Sequence, residues 1–137
     1  MPPHTRQPSA AEAQRLADVH LVDRYDHTQL TALNRLDQLD RAATPLVVPF
    51  HTNRVYRTEP TSQPRRAIIA GPEFRVTRDT VLTLLNLRLI YTADVVHIDS
   101  GPAHDRPGEQ RSAYVLTATR HGRDVLDTAR RIGRLPR

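Results

Sequence analysis

A helix start signal near the middle of the chain constrains the fold more than any other feature of the sequence. Val76 precedes Thr77, a residue type that caps helix N-termini, and Val81 occupies the fourth helical position after that cap. This spacing is typical of a hydrophobic staple, in which the two valines contact each other and fix where the helix begins. The sequence therefore predicts a helix over residues 78–89.

The two sides of this predicted helix differ in character. At about 100° per residue, one broad apolar side is shared by Val81, Leu82, Leu84, Leu85 and Leu89. Asp79, Thr83 and Asn86 gather on the opposite side. Such a helix buries its apolar side and presents short hydrogen-bonding side chains, either to solvent or to a ligand.

Two further helices are predicted before the middle of the chain. Residues 10–25 are rich in helix formers and Ser9 suits their N-cap, whereas residues 28–43 carry a leucine at every third position from 30 to 39. That spacing drifts around a helix, so a broad face is expected to be covered by the core or by a second subunit. Residues 1–9 contain three prolines and are expected to be a disordered lead.

The remaining segments predict a short helix, a strand pair and a final helix. Residues 65–70 are expected to be helical and to end at Gly71-Pro72, while residues 45–64 give no confident structure. The β-rich run at 95–98 and residues 113–116 predict two strands around a tip rich in glycine and proline. Thr117 predicts the cap of a last helix that ends at Gly133.

This order of elements resembles a winged helix-turn-helix, and more narrowly the MarR-like regulators. The residues that carry the resemblance are Val76-Thr77-Arg78-Asp79-Thr80-Val81, Leu89-Ile90, Glu109-Gln110-Arg111-Ser112 and Tyr114-Val115-Leu116-Thr117. Arg88 stands where that family usually has glycine. The resemblance implies a mainly α fold with a small β-hairpin wing, as a winged helix-turn-helix with additional N-terminal helices.

The same resemblance predicts how the chain is organised into segments. Residues 10–137 would form a single winged-helix domain, with N-terminal helices at 10–43, a helix-turn-helix and wing at 65–116, and a C-terminal helix at 117–133. The family implies sequence-specific binding of double-stranded DNA as a transcriptional regulator, a repressor in the usual case. It also implies a homodimer joined through the N- and C-terminal helices, with a small-molecule effector that the sequence does not identify.

On that hypothesis, the helix at 78–89 enters the major groove and the wing at 95–116 lies on the flanking minor groove or backbone. Asparagine reads adenine bidentately and threonine contacts a thymine methyl, so Thr83 and Asn86 are assigned to base edges. The other predicted residues are assigned to phosphates or nearby grooves. The predicted DNA-binding residues are Arg75, Arg78, Thr80, Thr83, Asn86, Arg106 and Arg111.

Composition supports a polyanion as partner and excludes several classes of protein. The net charge is +5, and all 20 basic residues are arginine, which binds phosphate bidentately. A genome rich in G and C explains the arginine count better than selection for arginine chemistry does, so the positions of the arginines matter more than their number. The absence of cysteine excludes disulfides and thiolate metal sites. An aromatic share of 4% argues against a stacking platform for unpaired bases.

Nothing in the sequence favours an enzyme, a metal or a cofactor. The seven histidines are never three or four residues apart, and no glycine-rich phosphate loop is present. No apolar run approaches the ~20 residues of a membrane span, and the N-terminus lacks a signal-peptide layout, so a cytoplasmic protein is expected. The alternative function is a winged-helix module for protein interaction, or an accessory protein of replication or partition.

Overall fold

The computed structural model describes residues 7–50, 52–99 and 111–136, which form four helices and five strands. In chain order these elements are α1 (Ala10–Val22), α2 (His27–Arg41), β1 (Val47–Pro49), β2 (Tyr56–Glu59), β3 (Arg66–Pro72), α3 (Arg78–Asn86), β4 (Ile90–Asp99), β5 (Arg111–Ala118) and α4 (Arg120–Arg131). Most of the expected disordered lead and the tip of the expected wing, with Arg106, lie outside the described residues.

Every helix among these residues begins at a side chain that accepts a hydrogen bond from the backbone amide three residues further on. The caps are Ser9, Asp26, Thr77 and Thr119. Ser9 and Thr77 confirm two predicted caps, because capping depends only on residues one turn apart. Thr117 does not cap α4. It lies within β5, and the helix begins two residues later than the sequence predicts.

The five strands close into a barrel. β1 pairs with both β2 and β5, β2 with β3, and β4 with β5, all antiparallel, whereas β3 and β4 run parallel. The parallel pair requires a crossover connection, and α3 provides it. The barrel interior is filled by small and β-branched side chains: Val47, Ala67, Val96, Ile98 and Ala113.

The predicted mainly α winged helix-turn-helix is wrong, because the described residues form a mixed five-stranded barrel beside the helices. Residues 65–70, predicted as a short helix, instead belong largely to β3, in which Ala67 and Ile69 pack into the barrel at the two-residue spacing of a strand. Gly71 and Pro72 continue that strand, paired with β2, and do not end a helix. A segment of six residues is too short for its periodicity to distinguish the two structures.

The helices cover one outer side of the barrel through a second and larger core. Leu30, Leu33 and Leu36 are buried there, so the broad leucine face of α2 packs within the chain. The largest fully buried side chains of this core are Leu33, Leu36, Leu46, Leu84, Leu89, Ile90, Leu116 and Leu126. Within the described ranges, no helix is both long enough and apolar enough to cross a bilayer.

Candidate nucleic-acid interface

α3 begins where the sequence predicts but ends three residues earlier. The Thr77 hydroxyl accepts a hydrogen bond of 3.3 Å from the Thr80 amide, and Val76 and Val81 are both buried, as the predicted staple requires. The helix ends at Asn86, and Arg88 then adopts a φ of 58°, in the left-handed region that favours glycine. Arg88 therefore has a backbone conformation that favours glycine, while it carries a long side chain.

The exposed side of α3 combines a cation, an apolar residue and an amide. Arg78, Leu82 and Asn86 are exposed, and at ~100° per residue they lie within about 80° of one another. The prediction that Leu82 belongs to the buried side of the helix is wrong, because this large apolar side chain is 44% exposed. Two of the predicted DNA-binding residues, Arg78 and Asn86, thus share one solvent-facing strip.

The two predicted threonines of α3 lie elsewhere. Thr80 and Thr83 line a shallow cleft of about 190 Å³ that also contains the carboxylates of Asp26 and Asp79. The Thr83 hydroxyl donates a hydrogen bond of 3.0 Å to the Asp79 carbonyl. Both threonines are therefore half-buried beside negative charge, away from the strip of Arg78. The cleft is smaller than the pockets of about 300–1,000 Å³ that hold drug-sized ligands.

A buried ion pair fixes the loop that leads into α3. Glu73 is 7% exposed, and its Oε2 lies 2.9 Å from both Nε and Nη2 of Arg35 on α2. Its Oε1 accepts a hydrogen bond of 2.8 Å from the Arg75 amide, and its own amide donates to the Val55 carbonyl. Burial acts to raise the pKa of Glu73, but the hydrogen bonds from Arg35 and Arg75 and the charges of Arg35 and Arg57 outweigh it and lower that pKa.

This anchored loop presents two side chains to solvent. Phe74 is 83% exposed and Arg75 is exposed beside it, whereas Glu73 and Val76 on either side are buried. The backbone of the loop is therefore held at both ends while its middle projects. The sequence predicts a role for Arg75 but none for Phe74, because amino-acid composition does not show whether a phenylalanine is exposed.

The other end of α3 is fastened to α4. The Thr119 hydroxyl donates a hydrogen bond of 2.7 Å to the Arg88 carbonyl, and the Thr119 amide donates one of 3.0 Å to the Leu89 carbonyl. A Cβ atom at Gly122 would lie only 2.0 Å from the Leu89 carbonyl oxygen, so glycine permits this close approach. Arg88 and Arg120 are thereby brought near each other, and both are exposed.

Several arginines of the helical layer have ionic partners that the arginines around α3 lack. Ion pairs with carboxylates are formed by Arg35, Arg41, Arg130, Arg131 and Arg134, although the exposed Arg15 of α1 and Arg123 of α4 have no such ion pair among the described residues. Four exposed arginines at the two ends of α3 form none, and we call them the α3 arginine set: Arg75, Arg78, Arg88 and Arg120. Uncompensated guanidinium groups clustered around one helix create a site for anions.

The predicted wing is present only as a strand pair. β4 and β5 pair over most of their length, which confirms the predicted strands at 95–98 and 113–116. Arg111, the first residue of β5, pairs with Ile98 and is half-buried. It does not belong to the α3 arginine set, and Arg106 lies outside the described residues.

The described part of the chain contains no group of three or more histidine, aspartate, glutamate or cysteine residues arranged to hold a metal ion. His121 instead lies 3.0 Å from the Tyr25 hydroxyl, through Nε2. Comparisons of the chain with protein-family models, curated proteins and solved structures found no match. The function must therefore be inferred from the residues themselves.

Proposed function

We propose that this chain binds double-stranded DNA through the α3 arginine set and the exposed strip of α3, and that it acts as a transcriptional regulator. The observation that carries the proposal is the clustering of unpaired arginines around one helix. Four exposed arginines without a carboxylate partner among the described residues lie at the two ends of α3, where an external anion can reach them. Phosphates of a duplex are such anions, closely and regularly spaced.

Each part of the surface has a role in this proposal. Arg75 and Arg78 at one end of α3, and Arg88 and Arg120 at the other, bind phosphates on either side of the major groove, which admits one helix. Asn86 reads an adenine edge, and Leu82 between the two ends contacts a thymine methyl. Nine residues make α3 about 14 Å long, enough to follow the groove for several base pairs.

A homodimer and a cytoplasmic location belong to the same proposal. Leu16 is 56% exposed on α1, which supports an N-terminal helix as the contact between subunits. The apolar side of α4, with Val125, Leu126 and Ala129, is already buried in the chain's own core. The structure thus favours α1 over α4 as the contact. A small-molecule effector has no supporting site among the described residues.

The first test measures affinity for fluorescent duplex DNA by anisotropy over a series of salt concentrations. The variant combines Arg78→Ala with Arg88→Ala. The log–log salt slope is expected to fall by about one for each phosphate contact removed. Arg15→Ala combined with Arg24→Ala is the matched control, because both arginines are exposed and, within the described ranges, without an ion pair but lie on or beside α1. Equal losses in the two variants, or no duplex binding by the wild type at low salt, would refute the proposal.

The second test selects preferred sequences from a random duplex pool. A dimer is expected to enrich a two-fold symmetric motif with half-sites about 10 base pairs apart. Asn86→Ala is expected to blur the preference at one position in each half-site, with little change in affinity for random duplex. If no motif is enriched, the chain binds DNA without sequence preference, and the proposed role in regulation is refuted.

A protein-interaction module is the second candidate, and Phe74 is the observation that favours it. An 83% exposed phenylalanine beside an arginine has the composition of an interface hot spot. The duplex titration separates the two candidates, because a pure protein-interaction module has no affinity for DNA that depends on Arg78 and Arg88.

A further inference from the structure

The few aromatic residues of this chain lie largely on its surface. The sequence has two phenylalanines and four tyrosines, and four of these six rings are at least 42% exposed: Phe50, Phe74, Tyr91 and Tyr114. Aromatic side chains bury more apolar area than most residues and usually anchor the core. Here the core consists of leucine, valine, isoleucine and alanine, and the rings remain available to a partner.

Two of the exposed rings contact each other on the outside of the barrel. The ring centroids of Phe50 and Tyr114 are 4.4 Å apart, with an angle of 37° between the ring planes. Phe50 is 55% exposed and Tyr114 is 42% exposed. The Phe50 amide donates a hydrogen bond of 2.9 Å to the Ser112 carbonyl, which fixes this turn residue beside β5.

Strand register places these rings in two adjacent rows of outward-facing residues. One row runs across β3, β4 and β5 to the turn after β1 and consists of Arg66, His97, Ser112 and Phe50. The other consists of Val95, Tyr114 and Val48. We call these seven residues the β-face. Neighbouring strands lie about 4.8 Å apart, so the longer row spans about 15 Å.

The helical layer leaves most of the β-face uncovered, although Val48 packs partly against the helical core. Leu116 and Ala118 lie on the same side of β5 as Tyr114 and are each 1% exposed beneath the helices. Tyr114 lies beyond the end of that cover. The helices therefore cover one half of this outer surface and leave the half that carries the two contacting rings open to solvent.

The chemistry of the β-face changes along its longer row. His97 is exposed, and its amide donates a hydrogen bond of 2.8 Å to the carbonyl of Arg65, an exposed arginine. Cationic and imidazole groups therefore lie at one end of the β-face and two flat rings at the other. A nucleotide in a single strand has the same arrangement, an anionic phosphate beside a flat, unpaired base.

We infer that the β-face binds single-stranded nucleic acid, with bases stacked on Phe50 and Tyr114 and phosphates placed toward Arg65 and His97. Base–aromatic stacking tolerates any sequence, since every base has a flat face. A duplex cannot use the β-face in this way, because its bases are already stacked and paired. The site shares no residue with the α3 arginine set, so it stands whether or not the chain binds duplex DNA.

The test separates stacking from charge by comparing two strands with the same backbone. Anisotropy measures binding of a labelled oligothymidine of about 15 nucleotides, on the order of the longest site sizes of single-strand-binding barrels, and of an abasic strand of equal length. The wild type is expected to bind the thymidine strand at least about tenfold more tightly. Phe50→Leu and Tyr114→Leu keep apolar volume but remove the rings, and each is expected to lose about tenfold on the thymidine strand alone.

Two control variants test whether the loss of binding is specific to the rings of the β-face. Tyr91→Leu removes an equally exposed ring on β4 outside the β-face and is expected to change nothing, while Tyr114→Phe is expected to retain binding. Equal wild-type affinity for the two strands would overturn the inference, as would unchanged binding by both leucine variants. Sedimentation that shows a wild-type dimer and monomeric leucine variants would also overturn it, by assigning the β-face to a second copy of the chain.

Discussion

The side chain of Thr119 holds the backbone of Arg88, through a hydrogen bond of 2.7 Å from the hydroxyl to the carbonyl oxygen. The same threonine caps α4 by accepting a hydrogen bond of 2.9 Å from the Gly122 amide. One residue therefore begins one helix and fixes the turn after another. The relative position of Arg88 and Arg120 depends on this contact.

Gly122→Ala is expected to destabilise the protein strongly. The added methyl would lie 2.0 Å from the Leu89 carbonyl oxygen, which is backbone and cannot rotate away. Overpacking of this kind costs about 1–3 kcal/mol of unfolding free energy. Urea denaturation measures the change. Gly71→Ala is the control, since its Cβ would lie 3.3 Å from the flexible end of Arg57 and is expected to cost much less. Similar losses in the two variants would contradict the close approach of α4 to Leu89.

Arg88→Gly is expected to change stability and duplex affinity in opposite directions. Glycine adopts the φ of 58° at this position without the steric penalty that arginine bears, so unfolding free energy is expected to rise by up to about 1 kcal/mol. Loss of the guanidinium is expected to weaken duplex binding. Arg88→Ala separates the two effects, because it removes the charge and retains the backbone penalty. A stabilised Arg88→Ala protein would show that the charge, and not the backbone, is unfavourable.

Glu73→Gln is expected to cost about 1.5–3 kcal/mol at neutral pH, the range for hydrogen bonds to a charged group. The pKa of Glu73 in the folded protein lies below the 4.5 of the unfolded chain, so the carboxylate stabilises the fold fully above pH 4.5. That contribution is lost as the pH falls through the folded-state pKa. Urea unfolding at a series of pH values should therefore show the difference between wild type and variant shrinking in acid. A difference that stays constant with pH would contradict the charged pair with Arg35.

Asp40→Asn is expected to stabilise the protein at neutral pH, whereas Glu73→Gln is expected to destabilise it. Burial, and then the charge of Asp37, raise the pKa of Asp40 above 3.8, so the folded state binds this proton more tightly than the unfolded state. The wild type therefore loses stability as the pH rises from about 3.8 through the raised pKa. The variant lacks this loss and should melt at a higher temperature at neutral pH, with the difference vanishing in acid. A lower melting temperature at neutral pH would refute the argument.

The sequence predicted those parts of the fold that depend on neighbouring residues. Ser9 and Thr77 cap their helices because the hydroxyl and the amide that it binds are only three residues apart. Asp26, which caps α2 and forms a capping box with Gln29, was missed although its signal is local.

The predictions that were wrong concern residues whose structure depends on partners distant in the sequence. Residues 65–70 become a strand because β2 and β4 pair with them from either side, and neither partner is visible in the segment itself. The candidate site was only partly predictable for the same reason. The sequence does not predict Arg120 as part of the site, because only the packing of α4 against Leu89 brings this residue near Arg88. The aromatic content argued against a stacking surface, but composition counts rings and does not place Phe50 beside Tyr114.

The closed barrel also limits the ways in which this chain can bind another chain. Each of its five strands pairs with a neighbour on both sides, so no strand of the described residues leaves an entire edge open for a further strand. Strand addition, the route to many peptide complexes and to amyloid, is therefore restricted at the backbone. A partner is expected to be recognised mainly through side chains, so substitutions on the correct surface should weaken its binding.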